Sequence, residues 1–148
     1  MIDGRNPHRL SALFAIASLT ILVILIATWA TQPTPDDSGM CGENVSYEFW
    51  ESSGELVISG TGDMSDYDED NPPPWFDYKE SVRSVAIAGG ITSVGNDAFN
   101  DCGSIISVSL GHSLEKIGDT AFYYCSSLES VSLPATVKSI GRYSFAGC

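Results

Sequence analysis

Basic residues are scarce in this chain of 148 residues, with seven Lys and Arg against 19 Asp and Glu and a formal net charge of −12 at pH 7. Proteins that bind the phosphate backbone of nucleic acids need clustered Lys and Arg, and this sequence has no basic stripe. We therefore expect no nucleic-acid partner. The acidity instead favours solubility and attraction for cations or basic partners.

Histidine is almost absent as well, and the residues that carry catalysis lack partners in the sequence. The two histidines are His8 and His112. No Gly-x-Ser-x-Gly nucleophile turn occurs, and a nucleophile needs a neighbouring base. Paired carboxylates occur only between Asp63 and Asp70, where nothing sets their protonation states apart. The sequence therefore predicts no enzyme and no cofactor.

Metal-ligand patterns are missing too. Structural zinc sites usually show paired ligands such as Cys-x-x-Cys, which this chain lacks. Asp66, Asp68 and Asp70 alternate as in a calcium loop, but Asn71 stands where such a loop needs glycine. We interpret this stretch as a solvated acidic loop and predict no metal site.

One long apolar run is present near the amino terminus, over residues 10–30. Its 21 uncharged residues are long enough to cross a bilayer as a helix, so it is either a transmembrane anchor or a signal peptide cleaved after Ala30. Arg5 and Arg9 precede the run and place residues 1–9 in the cytoplasm. Both alternatives put the rest of the chain outside the cytoplasm, either membrane-anchored or secreted.

Two segments separate this run from the remainder of the chain. Residues 31–40, with Pro33 and Pro35, are typical of a polar linker. Residues 41–81 are predicted to form a capping segment that begins with a β-hairpin, because apolar and polar residues alternate on both sides of Gly54. The acidic loop follows, and we expect Trp75 and Phe76 to close it as an aromatic plug.

The remaining residues repeat with a strict spacing of 23 positions. Glycine recurs at 95, 118 and 141, phenylalanine at 99, 122 and 145, and cysteine at 102, 125 and 148. A unit of this length cannot bury its own apolar side, so neighbouring units must stack. The sequence predicts three solenoid coils, over residues 82–103, 104–126 and 127–148, with Phe99, Phe122 and Phe145 in the core.

Each unit should contain a strand, a second extended side and a return, which is the segment that leads back to the strand of the next unit. In the last unit, Ser127 to Leu133 alternates as a short strand ended by Pro134, and Gly141 is expected to permit an unusual backbone conformation. The return from residue 142 to 148 suits one helical turn, or an irregular segment, that carries Phe145 inward. This architecture is an α/β solenoid rich in β-structure.

The aligned cysteines leave two interpretations open. Stacked coils lie about 4.8 Å apart, which is compatible with disulfides between neighbours. Alternatively, Cys102, Cys125 and Cys148 form an inward ladder of buried thiols. We favour the ladder, because identical bonds cannot join three equivalent residues.

The repeat resembles a known family. The pattern Ile117-Gly118-x-x-Ala121-Phe122-x-x-Cys125-x-x-Leu128-x-x-Val131-x-Leu133-Pro134 resembles the BspA-type leucine-rich repeat of bacterial and protist surface proteins. This resemblance implies a curved leucine-rich-repeat solenoid at the cell surface, used in adhesion to host proteins, matrix or neighbouring cells. Members usually carry many more repeats, which implies either a truncated sequence or an end covered by a partner.

Candidate ligand contacts come from the exposed strand positions and from tyrosines near the return. They are Ser84, Ser107, Ser109, Ser130, Ser132, Tyr123, Tyr124 and Tyr143. Together with the resemblance, they predict a scaffold that binds a protein or a glycan. The alternative is the ectodomain of a membrane-bound sensor or envelope assembly that stacks on a partner through the open end at Cys148.

Overall fold

The computed structural model describes residues 33–148, and the predicted anchor or signal segment over 10–30 lies outside them. Residues Pro35–Cys148 form one compact unit. Within the described range, no helix is long and apolar enough to span a membrane.

The described residues form short strands in two sheets and one short 3-10 helix, Phe76–Ser81. The first sheet has the order β1-β2-β3-β5-β7 and the second the order β4-β6-β8-β9. The strands are β1 Asp37–Met40, β2 Val45–Trp50, β3 Glu55–Gly60, β4 Gly62–Asp63, β5 Ser84–Ile87, β6 Ile91–Val94, β7 Ser107–Ser109, β8 Lys116–Ile117 and β9 Ser139–Ile140.

The predicted hairpin is present, and it also begins the solenoid. β2 and β3 pair in antiparallel register, and β3 then pairs in parallel with β5, which pairs in parallel with β7. The second strand of the cap is therefore the first strand of the parallel sheet. This arrangement protects one sheet edge, as a solenoid terminus requires.

Part of the segment predicted as a linker is a strand. β1 pairs antiparallel with β2 and so occupies the outer edge of the first sheet. Asp37 fastens it, because its carboxylate accepts hydrogen bonds from the Tyr47 hydroxyl at 3.0 Å and from the Tyr78 hydroxyl. The bond from Tyr78 is the main cause that lowers the pKa of Asp37.

The prediction of a helical turn in each return is wrong. The structure contains the irregular alternative. No α-helix occurs in residues 33–148. Each return has a left-handed backbone at two positions, and each position recurs every 23 residues: Asp97, Thr120 and Tyr143 at the first, and Asp101, Tyr124 and Gly147 at the second. A right-handed helix cannot include such residues. The returns are instead joined between coils, as in Phe99 N–H to Ala121 O and Phe122 N–H to Ser144 O, both at 2.8 Å.

Four aromatic rings form the centre of the core. Trp75, Phe99, Phe122 and Phe145 stack with successive centroid distances of 5.3, 5.0 and 5.2 Å. Trp75 is fully buried and its indole N–H donates to Ala98 O at 2.8 Å. It thus takes the phenylalanine position in the cap. Phe76, expected to share the plug, is 48% exposed, because it starts the 3-10 helix and points away from the stack.

The aligned glycines serve close approach between coils, not an unusual backbone conformation. None of Gly95, Gly118 and Gly141 has a positive φ. A Cβ on Gly95 would lie 1.8 Å from Ser65 O, and one on Gly141 would lie 2.4 Å from Asp119 N. The expectation for Gly141 was therefore wrong, and the packing distance between coils explains the glycine.

A side-chain ladder follows each of these glycine corners. The Asp66 carboxylate accepts from the Asn96 N–H at 2.8 Å, the Asn96 side-chain oxygen from the Asp119 N–H at 2.8 Å, and the Asp119 carboxylate from the Arg142 N–H at 2.7 Å. Asp66 was expected to be only a solvated loop residue. It instead anchors the first coil to the cap.

The last coil lacks the strand predicted between Ser127 and Leu133. Within the described residues, positions 129–133 have no hydrogen bond to β7, and Leu133 is 44% exposed. No coil packs on the far side of this segment in the described chain. Alternation alone therefore did not suffice to form a ladder here.

Candidate functional site

The outer face of the first sheet carries two rows of aligned side chains. Strand alternation points Val85 and Ile87 inward and leaves Ser84 and Ala86 on the outside. The first row runs through Trp50, Glu55, Ser84 and Ser107, which are in register across four strands. The second row runs through Ser38, Glu48, Val57, Ala86 and Ser109. We call this surface the outer face.

A shallow groove of about 420 Å³ lies where the outer face reaches the last coil. Its wall consists of Ile106, Ser107, Val108, Ser109, Leu110, Ser130 and Ser132. Four of the five serines predicted from the sequence therefore line one groove, and Ser84 lies beside Ser107 on the next strand. Ile106 is 59% exposed and adds an apolar contact that small serines cannot supply.

The sequence argument missed the part of the outer face that the cap supplies. Trp50, Glu48 and Glu55 extend the rows onto the hairpin. The alternation of Val45, Tyr47 and Phe49 already indicated that Trp50 faces outward. The parallel pairing of β3 with β5 left no local signal, so the connection to the serines could not be seen.

The predicted tyrosines lie elsewhere, on the return segments. Tyr123 and Tyr124 form an edge-to-face pair with centroids 4.4 Å apart, and their hydrogen bond raises the pKa of Tyr123. Tyr124 and Tyr143 both have left-handed backbones, and Tyr143 is 69% exposed. These residues do not line the groove, so serines and tyrosines form two separate surfaces.

The three buried cysteines do not offer a reactive group. Cys41, Cys102 and Cys125 are buried, and all four cysteines are free thiols in the described residues. Burial raises the pKa of Cys41 and Cys102 to about 12 and also raises that of Cys125, so these thiols stay protonated at neutral pH. The Cys125 thiol donates to Phe99 O at 3.3 Å, and the Cys148 thiol to Phe122 O at 3.2 Å.

Cys148 departs from its predicted place in the core. It is exposed, because it belongs to the last coil of the described chain and no further coil covers it. Phe99 and Phe122 are fully buried, while Phe145 is only partly buried for the same reason.

A second concavity, of about 510 Å³, lies between the acidic loop and the first return. We call it the acidic cleft, and it is lined by Asp68, Glu69, Pro72, Pro73, Phe76, Lys79, Asp97, Asn100 and Asp101. Residues 33–148 contain no group of three His, Cys, Asp or Glu side chains that could hold a metal ion.

Comparison with known proteins decides the family. The family described as "BspA type Leucine rich repeat region (6 copies)" matches residues 73–148, slightly more than half of the chain. The chain belongs to the BspA-type leucine-rich repeat family. Proteins built from these repeats are generally non-enzymatic scaffolds that bind proteins, and they are usually surface-exposed or secreted.

Similar folds are found among solved structures. A leucine-rich repeat protein from Eubacterium ventriosum is 26% identical, with a TM-score of 0.62 over 75% of this chain. The T. pallidum leucine-rich repeat protein TpLRR is 16% identical, with a TM-score of 0.49 over 74% of this chain and 54% of its own. The BspA-type chain spans 35% of the Eubacterium protein. None of the curated proteins matches it.

Proposed function

We propose that this BspA-type repeat protein is an extracytoplasmic scaffold of the adhesion type, which binds a protein or glycan on a host, a matrix or a neighbouring cell through its outer face. The observation that carries the proposal is the groove, in which serines from two coils surround the exposed Ile106. A row of register neighbours connects this groove to Trp50.

The chemistry of the outer face favours repeated weak contacts around one or two anchors. Serine hydroxyls donate and accept hydrogen bonds, so they suit peptide groups and sugar hydroxyls. Tryptophan is the residue type most often found at energetic centres of interfaces, which makes Trp50 the expected anchor. Several copies on one surface would raise avidity above the affinity of a single contact. Tyr123, Tyr124 and Tyr143 form a proposed second contact surface.

A binding screen tests the proposal. The full chain is applied to arrays of glycans and matrix proteins, together with the variants Ser109→Tyr, which fills the groove, and Trp50→Ala. The matched control is Ser139→Tyr, which adds the same ring at an exposed position on β9 of the second sheet, away from the outer face. We expect Ser109→Tyr to abolish binding and Ser139→Tyr to retain it. Unchanged binding by Ser109→Tyr would refute the outer face as the contact surface.

The last coil gives a specific reason for the alternative function in an envelope or sensor assembly. Leu133 and Ile140 are exposed there. In the described residues, the Phe145 N–H has no acceptor, whereas the equivalent Phe122 N–H donates to the following coil. A coil stacked on this end, from this chain or another, would cover both features. Size-exclusion chromatography with light scattering on the full chain and on Ile140→Glu tests it: an oligomer that the variant dissociates supports assembly.

A further inference from the structure

The acidic cleft combines an apolar floor with an excess of negative charge. Pro72, Pro73 and the half-exposed ring of Phe76 supply the apolar part of its lining. Its volume of about 510 Å³ lies within the range of pockets that enclose ligands of drug size. Four carboxylates line it against one ammonium, that of Lys79.

The ammonium of Lys79 shows how the cleft binds a cation. Its ammonium lies 2.6 Å from the Asp101 carboxylate and 5.0 Å from the centroid of the Phe76 ring. This pairing joins a charge-assisted hydrogen bond with a cation–π contact, the combination that recognises Lys and Arg side chains at interfaces. A side chain of the protein therefore already occupies the place that an incoming basic side chain would take.

The other carboxylates are held in place before any ligand arrives. One Asp68 oxygen accepts from the N–H groups of Asp70 and Asn71 at 2.9 and 2.8 Å. One Asp97 oxygen accepts from the Asn100 amide and the Thr120 hydroxyl, both at 2.8 Å. In each case the second oxygen has no partner among the described residues. Fixed acceptors lose little conformational entropy on binding, which favours affinity.

The walls of the cleft are also fixed to the rigid part of the fold. The Tyr67 N–H donates to Asn96 O at 3.0 Å and joins the acidic loop to the first return. Trp75, next to Phe76, is locked in the ring stack. The cleft is thus a preformed feature on the side of the cap, separate from the outer face.

We propose that the acidic cleft docks a short basic peptide segment of a partner protein, with one Lys or Arg side chain held between the Asp101 carboxylate and the Phe76 ring. Charge complementarity selects this occupant. The chain has a strong excess of acidic residues, and the cleft concentrates them around an aromatic face where a guanidinium or ammonium can stack. The peptide displaces Lys79 from Asp101 and uses the remaining carboxylates for its second basic residue.

The probe is a capped peptide, Gly-Ser-Arg-Ala-Arg-Ser-Gly, titrated calorimetrically into the full chain. Its control replaces both arginines with glutamine. We expect saturable binding of the arginine peptide, at least about tenfold weaker binding of the glutamine peptide, and weaker binding as salt rises. Absent binding, or equal binding of the two peptides, overturns the proposal. Spermine that binds as tightly as the peptide also overturns it, because the cleft would then be a general polycation site.

Two pairs of variants locate the contact. Phe76→Ala should weaken binding about tenfold, whereas Asp77→Asn, on the same 3-10 helix but outside the cleft wall, should change it less than about twofold. Lys79→Gln removes the internal competitor and should tighten binding several-fold. Lys138→Gln makes the same change in net charge at the ion pair that joins Lys138 to Glu115 of the preceding coil, and it should have little effect. A gain from Lys79→Gln cannot arise from unfolding, and loss of binding in that variant would contradict the displacement.

Discussion

The two ends of the solenoid place the same residues in different environments. At the capped end, the rings of Trp75 in the cap and Phe99 in the first coil are fully buried, while Phe145 in the last coil is only partly covered. Val94 and Ile117 are fully buried, but their equivalent Ile140 is 48% exposed. Equivalent positions of different coils carry similar apolar residues but differ in burial. Burial therefore depends on whether a neighbouring coil covers the position.

The cap protects the edge of the first sheet by adding its own strands to that sheet. β3 is antiparallel to β2 on one side and parallel to β5 on the other, so the hairpin continues the hydrogen-bond ladder. At the other end, residues 129–133 have no ladder bond to β7 in the described chain. The groove therefore lies where the backbone hydrogen-bond ladder of the first sheet ends.

The largest expected effect contrasts ring positions along the stack. Phe99→Ala removes a fully buried ring between two others and should lower the free energy of unfolding by about 3–5 kcal/mol. Phe145→Ala should lower it by less than half as much, because one face of that ring lacks a neighbour. Urea denaturation of both variants measures the difference. Equal losses would mean that the last coil is covered in solution.

A glycine contrast tests the spacing between the first coil and the cap. Gly95→Ala should destabilise the fold by about 1–3 kcal/mol, because its Cβ would meet the backbone oxygen of Ser65. Gly103→Ala is the matched control, since its Cβ would meet only the Ser126 hydroxyl at 3.4 Å. Thermal unfolding of the two variants gives the comparison, and similar midpoints would show that the cap can shift away.

The corner ladder can be broken at the cap with a charge-matched control. Asp66→Ala removes the acceptor for the Asn96 N–H and should lower stability by about 1 kcal/mol. Asp70→Ala removes the same charge from the same loop and keeps the Asp70 N–H that donates to Asp68; within residues 33–148 the Asp70 carboxylate accepts no hydrogen bond. Denaturant midpoints distinguish the two. A loss in both variants would point to the loop charge instead of the ladder.

The hydrogen bonds that Asp37 accepts from Tyr47 and Tyr78 predict that the stability of the fold depends on pH. The folded state lowers the pKa of Asp37 below 3.8, chiefly through the Tyr78 hydroxyl, so this carboxylate stabilises the fold above that value. The contribution should disappear as the pH falls below about 4 and through the folded pKa. Asp37→Asn should therefore flatten the stability curve in that range. An unchanged slope between pH 5 and 2.5 would refute the assignment.

Much of the fold followed from the sequence because equal spacing implies equal environment. Phe99, Phe122 and Phe145 had to stack once the 23-residue register was recognised. The place of Trp75 in the ring stack could not be predicted from the repeat spacing, because Trp75 lies 24 residues before Phe99 and not 23. The irregular conformation of the returns was missed for a different reason. Asp97, Thr120 and Tyr143 have left-handed backbones, but these residue types do not indicate that conformation in a sequence as glycine does.

In the candidate site, features that depend on local sequence patterns could be predicted, and features that depend on long-range pairing could not. The outward position of Ser107 and Ser109 followed from strand alternation. Their alignment with Trp50 depends on a parallel pairing between β3 and β5 that no local pattern encodes. Likewise, Phe76 was assigned to the core on residue type, and only the structure places it in the wall of the acidic cleft.

The smallest expected effect concerns the last return, where exposure and backbone conformation conflict. Tyr143 has a φ of 56° and is mostly exposed, so its ring compensates little for a left-handed backbone. Asparagine tolerates that conformation better, and Tyr143→Asn should therefore raise stability by about 0.5 kcal/mol. Thr120→Asn, at the equivalent position of the covered coil, loses the hydroxyl bond to Asp97 and should gain nothing. If Tyr143→Asn instead lowers both stability and ligand binding, the tyrosine is packed against a partner surface that keeps it in this conformation.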